Sequence, residues 1–164
     1  MKRLCLAIVT MVAVRDAVAL VAQSSDPWIG TWTVNLEKST YRPGPKPAFA
    51  ATTTVTGSQD SIEIAIDNVN GQGRPTHEET TGRFDGKQYP VKGAPNANTT
   101  MGYRRIDSRT FESTVQVNGT TVATYTVRIS ADGQTWTATQ TGTNAQGQAT
   151  NNVVVLEKQP TSRR

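Results

Sequence analysis

From Pro27 onward the chain runs in short stretches of alternating apolar and polar residues, each closed by Gly, Asn, Asp or Pro. The clearest is 61–67, where Ile62, Ile64 and Ile66 alternate with Glu63, Ala65 and Asp67. A period of two is the signature of a half-buried β-strand. Read the same way, strands fall at 28–35, 49–56, 61–67, 76–84, 87–91, 99–107, 110–117, 121–130, 135–141 and 151–158. In the first, Trp28, Gly30, Trp32 and Val34 share one face. The turns between strands carry their own signals. Asn118-Gly119 is the strongest two-residue hairpin motif in the chain, and Asp85-Gly86 and Asp132-Gly133 are further examples. Asp85-Gly86 predicts that 76–84 pairs with 87–91. Two segments read as loops, the proline-rich 41–47 and the Gly/Asn-rich 68–75. No stretch after residue 22 has a helical period.

Connections this short make consecutive strands pair antiparallel as a meander. A long meander has edges to hide, and closing on itself hides them. The expected fold is therefore all-β, an up-and-down meander closing into a barrel of 8–10 strands. A β-sandwich is the alternative that turn spacing leaves open.

The first 22 residues are different in kind. Lys2 and Arg3 precede an apolar run at 4–14, and small residues follow at Ala17, Ala19 and Ala22. That is the layout of a secretory signal peptide, and the run is too short to span a bilayer. The expected organisation is a signal peptide at 1–22, one domain at 23–158 and a flexible tail at 159–164. The corresponding location is bacterial, periplasmic or secreted, with no integral membrane segment once the signal is removed. Cys5, the only cysteine, lies inside the signal. A mature domain without thiols has neither disulfides nor a cysteine-based metal site.

Setting the signal aside changes the charge as well. The formal net charge of the whole chain is +4, and it falls to +2 without residues 1–22. So small an excess argues against a nucleic-acid partner. Thr, at 26 residues, is the compositional hallmark. It is β-branched yet polar, and it suits pleated sheet whose faces are partly wet.

The stretch from Asp26 to Asn35 places Gly30-x-Trp32 at the head of the first strand. It resembles the N-terminal signature of the calycins, the barrels that include lipocalins, fatty-acid-binding proteins and avidins. Lys38-Ser39, Pro43-Gly44-Pro45, the segment from Phe84 to Val91 and the ending from Asn151 to Lys158 are similar to exported bacterial proteins described as lipocalin-like. The resemblance implies a lipocalin-like barrel with Trp32 packed at its closed base, under a basic side chain from a late strand. Arg128 and Lys158 both qualify for that place.

The sequence offers little for catalysis. His77 is the only histidine, and no serine lies in a nucleophile elbow. One histidine cannot build a triad with no candidate nucleophile beside it, nor a zinc site. The carboxylates, among them Glu78, Glu79 and Asp85, are assigned to turns and polar faces. No cofactor motif is present, and the chain is read as a non-enzyme. Asn98 and Asn118 begin glycosylation sequons but read as turn residues.

Binding is better supported. Trp32, Tyr103, Tyr125 and Trp136 lie on strands, and Arg105 shares the face of Tyr103. Pointing inward, these five would line an aromatic cavity with one cation, suited to an apolar molecule with an acidic end. The alternative makes Trp32 and Trp136 barrel plugs and Arg105 an outward charge. The corresponding functions are an exported barrel that binds a small hydrophobic or amphipathic ligand, or a filled barrel whose loops 41–47 and 68–75 contact a protein or cell-envelope partner.

Overall fold

The computed structural model describes residues 26–144 and 146–160. The signal peptide expected at 1–22, Cys5 within it, and residues 161–164 of the expected tail lie outside the described residues. Ten strands follow one another: β1 (Gly30–Val34), β2 (Thr52–Ser58), β3 (Ser61–Val69), β4 (Pro75–Arg83), β5 (Asp85–Pro90), β6 (Thr99–Arg105), β7 (Thr110–Val117), β8 (Thr120–Ile129), β9 (Thr135–Thr143) and β10 (Ala149–Lys158). All ten belong to one antiparallel sheet, in the order β4-β3-β2-β1-β10-β9-β8-β7-β6-β5. Consecutive strands pair everywhere except between β4 and β5, and β1 pairs with β10 to bring the sheet round into a nearly closed barrel. A single continuous sheet excludes the β-sandwich.

The local causes are those visible in the sequence. In β3, Ile62 and Ile64 are buried while Glu63 between them is exposed. Asn118 and Gly119 take φ of 51° and 78°, the left-handed pair that a two-residue hairpin needs to match strand twist. β1 is shorter than expected, because Trp28 lies in a turn before it, where Ile29 N donates to Asp26 O at 3.0 Å. After β1 the chain keeps to the edge of β10: Thr40 bridges Val153, and Asn151 N donates to Arg42 O at 2.8 Å. At the other end Gln159, expected in the tail, donates its N–H to Thr31 O at 2.8 Å.

One pairing departs from expectation. Asp85-Gly86 does make a turn, but β4 and β5 do not form a ladder and instead bound the seam of the barrel. Asp85 accepts from Lys87 N at 3.0 Å and from Tyr89 Oη at 3.0 Å, so the chain curls locally. β5 then pairs with β6 through a bulge between Asp85 and Gln88. The rings of Tyr89 and Tyr103 press against Gly82, where even a methyl group would come within 2.9 Å of both. Aromatic side chains from β5 and β6 thus pack over Gly82 beside the seam. The two sides of the seam meet further up, at Glu79 and Lys92. Their backbones exchange bonds of 3.0 and 2.8 Å, and Lys92 Nζ donates to Glu79 Oε1 at 2.7 Å.

His77 stands on the outer face beside this clasp. Its Nδ1 lies 2.8 Å from Asp67 Oδ1 on β3, and its Nε2 is 3.8 Å from Glu79 Oε2. The Asp67 hydrogen bond raises the imidazole pKa above its ordinary value. A raised folded-state value means that the ion pair favours folding below the unfolded pKa, and that this contribution fades as pH rises through the folded one. NMR titration of His77 is expected to give a pKa above about 6.5, and Asp67→Asn should return it toward that figure. An unshifted His77 would show that the pair does not persist in solution.

The lower end of the barrel is closed by aromatic rings. Trp28, Trp32, Tyr103 and Phe111 are essentially inaccessible to solvent. Phe111 packs edge-on against Trp28 at 5.6 Å and Trp136 at 5.8 Å, and Trp32 meets Trp136 at 5.6 Å. Trp32 Nε1 donates to Trp28 O at 2.8 Å, which satisfies a buried donor. Lys158 is the basic residue over Trp32, its Nζ 5.0 Å from the ring centroid and within 3.4 Å of Pro27 O. Register explains the choice, since Lys158 is the direct cross-strand partner of Trp32, whereas Arg128 lies exposed on β8. Gly30 makes room for it: a Cβ there would lie 2.8 Å from Lys158 Cε.

A candidate ligand cavity

Above the aromatic plug the barrel interior is not filled. A cavity of about 380 Å³ lies between the plug and the opposite end. Phe111 and Trp136 form its floor, and Ile64, Ile66, Val127 and Val154 are among its apolar walls. The connection from β1 to β2 crosses the upper end, where Tyr41, Pro47 and Phe49 join the lining. A volume of this size falls in the range of pockets that hold one small molecule.

The five residues expected at a ligand site divide by height. Tyr125 and Trp136 line the cavity. Trp32, Tyr103 and Arg105 do not; they belong to the closed base. Tyr103 and Arg105 do share a face, but β6 reaches the base there, so that face meets the plug and not the cavity. Arg105 is committed on all sides. Its guanidinium lies 4.4 Å from the Trp28 ring centroid and 4.5 Å from that of Phe84. It donates to both oxygens of Asp26 at 2.9 and 3.1 Å and to Gln59 O at 2.7 Å. Arg105 therefore caps the plug from outside, as a stacked and bidentate guanidinium does well. The cation expected inside the cavity is absent from its described lining, which contains no Lys, Arg or His.

The lining instead contains a carboxylate that sequence reasoning assigned to a polar face. Glu78 on β4 faces inward, and partial burial raises its pKa above the ordinary carboxylate value. Tyr41 and Tyr125 share the cavity with it. Burial pushes the Tyr125 phenol up to about 12, with the charges of Glu78 and Tyr41 adding to the shift. Burial raises Tyr41 as well. Glu78 shares the parity of Thr76, Thr80 and Gly82 on β4. Thr80 and Gly82 are buried and Thr76 is partly covered, while His77, Thr81 and Arg83 are exposed.

Fold and site together define a class, a ten-stranded antiparallel meander barrel plugged by aromatic rings at one end and holding an apolar cavity above them. Among solved structures, the zebrafish ileal bile acid-binding protein, in complex with cholic acid, is similar over 81% of this chain and 99% of that chain, with 13% sequence identity and a TM-score of 0.48. The family profile of the archaeal bacterial Ig-like domain matches residues 90–161, under half of the chain. In this structure the matched stretch contains β6 to β10, which are consecutive strands of the one sheet. No curated protein sequence matches the chain.

Proposed function

We propose that this chain is an exported binding protein, not a catalyst, whose barrel carries one small, mainly apolar molecule. The observation that carries this reading is the apolar cavity of about 380 Å³ above a fully packed plug. A protein needing only a stable barrel would gain contacts by filling that space, because empty volume forfeits dispersion and hydrophobic contacts. The lining supports it further, with aliphatic walls on several strands and a few polar groups gathered among them, the composition of small-molecule sites in general. The signal-peptide layout of residues 1–22 supports export. Loop 41–47 takes part in the cavity through Tyr41 and Pro47, which fits a cover over a ligand.

The test is a titration with N-phenyl-1-naphthylamine, an apolar dye that is uncharged at neutral pH and brightens in apolar surroundings. The expected result is a saturable rise with one site per chain, reversed by dodecanol. A rise that never saturates, or that dodecanol leaves unchanged, would overturn the reading.

A further inference from the structure

The charge inside the cavity narrows the class of ligand, an inference that rests on the binding reading above. Glu78 is the one carboxylate among the described lining residues, and no described side chain hydrogen-bonds or ion-pairs with it. The nearby cation is already engaged elsewhere, since Lys92 Nζ is bound to Glu79 at 2.7 Å. Arg105 and Lys158 belong to the opposite end of the barrel, beneath the rings of Phe111 and Trp136. A carboxylate taken partly out of water without a counter-charge is costly, and a cation brought to it removes that cost. Of the two phenols that share the cavity, Tyr125 has no hydrogen bond to another described side chain, and Tyr41 has the Ser39 hydroxyl beside it. Their oxygens are further acceptors.

We propose that the cavity selects an apolar molecule bearing an ammonium group, with Glu78 as the counter-charge and Tyr41 and Tyr125 as its neutral acceptors. An ammonium has three donors and no acceptor, which complements one carboxylate and two phenolic oxygens. Its hydrocarbon lies against Ile64, Ile66, Val127 and the floor rings. A carboxylate-headed molecule of equal length meets a like charge in the same place and finds no cation. This is the reverse of the acidic-ended ligand that Arg105 suggested when sequence alone placed it in the cavity.

Displacement of N-phenyl-1-naphthylamine by dodecylamine, dodecanol and dodecanoate, each as monomers at neutral pH, tests the proposal. Dodecylamine is expected to bind ~10-fold more tightly than dodecanol, the range of a charge-assisted hydrogen bond, with dodecanoate the weakest. Glu78→Gln should abolish the preference for the amine while leaving dodecanol affinity within about twofold. Glu78→Asp should retain part of it. Dodecanol binding with no preference for the amine, or a preference that survives Glu78→Gln, overturns the charge assignment and leaves the cavity reading standing. Failure of all three to bind overturns both.

Discussion

Replacing Phe111 with Ala is expected to destabilise the protein by about 3–5 kcal/mol, the upper range for loss of a buried aromatic side chain. Phe111 is 1% exposed and touches more of the plug than any other ring. Its centroid lies 5.6 Å from Trp28, 5.8 Å from Phe84, 6.4 Å from Tyr103 and 5.8 Å from Trp136, all in tilted or edge-on contact. Edge-to-face pairs add about 0.5–1.5 kcal/mol each beyond area burial. The site also has little freedom to collapse. Trp28 is held from outside by Arg105, and its carbonyl accepts the Trp32 indole N–H. Urea unfolding should show a lower midpoint with an unchanged slope. Phe49→Ala is the control: Phe49 is 50% exposed at the upper end, so its loss should cost less than about 1 kcal/mol. If the two substitutions cost the same, the plug is not what holds the lower end together.

The second large effect is on binding. Ala138→Phe is expected to weaken N-phenyl-1-naphthylamine binding ~100-fold or more without lowering stability. Ala138 lines the cavity from β9, flanked in register by Val127 on β8 and Val154 on β10. A space of about 150 Å³ accommodates a benzene ring, so the new ring would occupy a large share of the 380 Å³ available. Filling an apolar void restores contacts that its walls lack, so the melting temperature should hold or rise. In a core already packed, the same substitution would cost about 1–3 kcal/mol through overpacking. Thermal unfolding therefore tests for the empty space, and the dye titration tests whether that space is where ligand goes. Unchanged affinity would place the dye on the outer surface.

The strands were legible because their physics is local. Alternation marked Ile62 and Ile64, and Asn118-Gly119 marked a hairpin. The seam was not legible, since the turn signal at Asp85-Gly86 is real but says nothing about Tyr89 and Tyr103 occupying the space beside Gly82. The site was legible in part, for a specific reason. Alternation tells which way a side chain points, inward or outward, but not how far along the barrel axis it lies. Trp32, Tyr103 and Trp136 all point inward, yet only Trp136 reaches the cavity. Arg105 follows the parity of Tyr103 to the end of β6 and arrives under the plug. Glu78 was hidden for the opposite reason. β4 reads PTHEETTGR, with no aliphatic or aromatic residue to mark its inner face, so only the completed sheet shows that Glu78 shares a side with buried Thr80.

The ring is joined by its most distant pair and left unjoined at an adjacent one. Every ladder but one links strands next to each other in sequence, and the exception is β1 with β10, where Trp32 faces Lys158 across most of the described chain. Hairpins with short loops form early and at little entropic cost, whereas bringing β1 to β10 constrains the longest loop. This topology predicts an order of events in folding, which stopped-flow refolding of variants checks. A curved ribbon of hairpins assembles first, and the step that turns it into a vessel is the arrival of Trp32 beneath Lys158. On this account the Gly-x-Trp motif acts as a latch: substitutions there would slow refolding, while those in the β7–β8 hairpin would leave the closing step untouched.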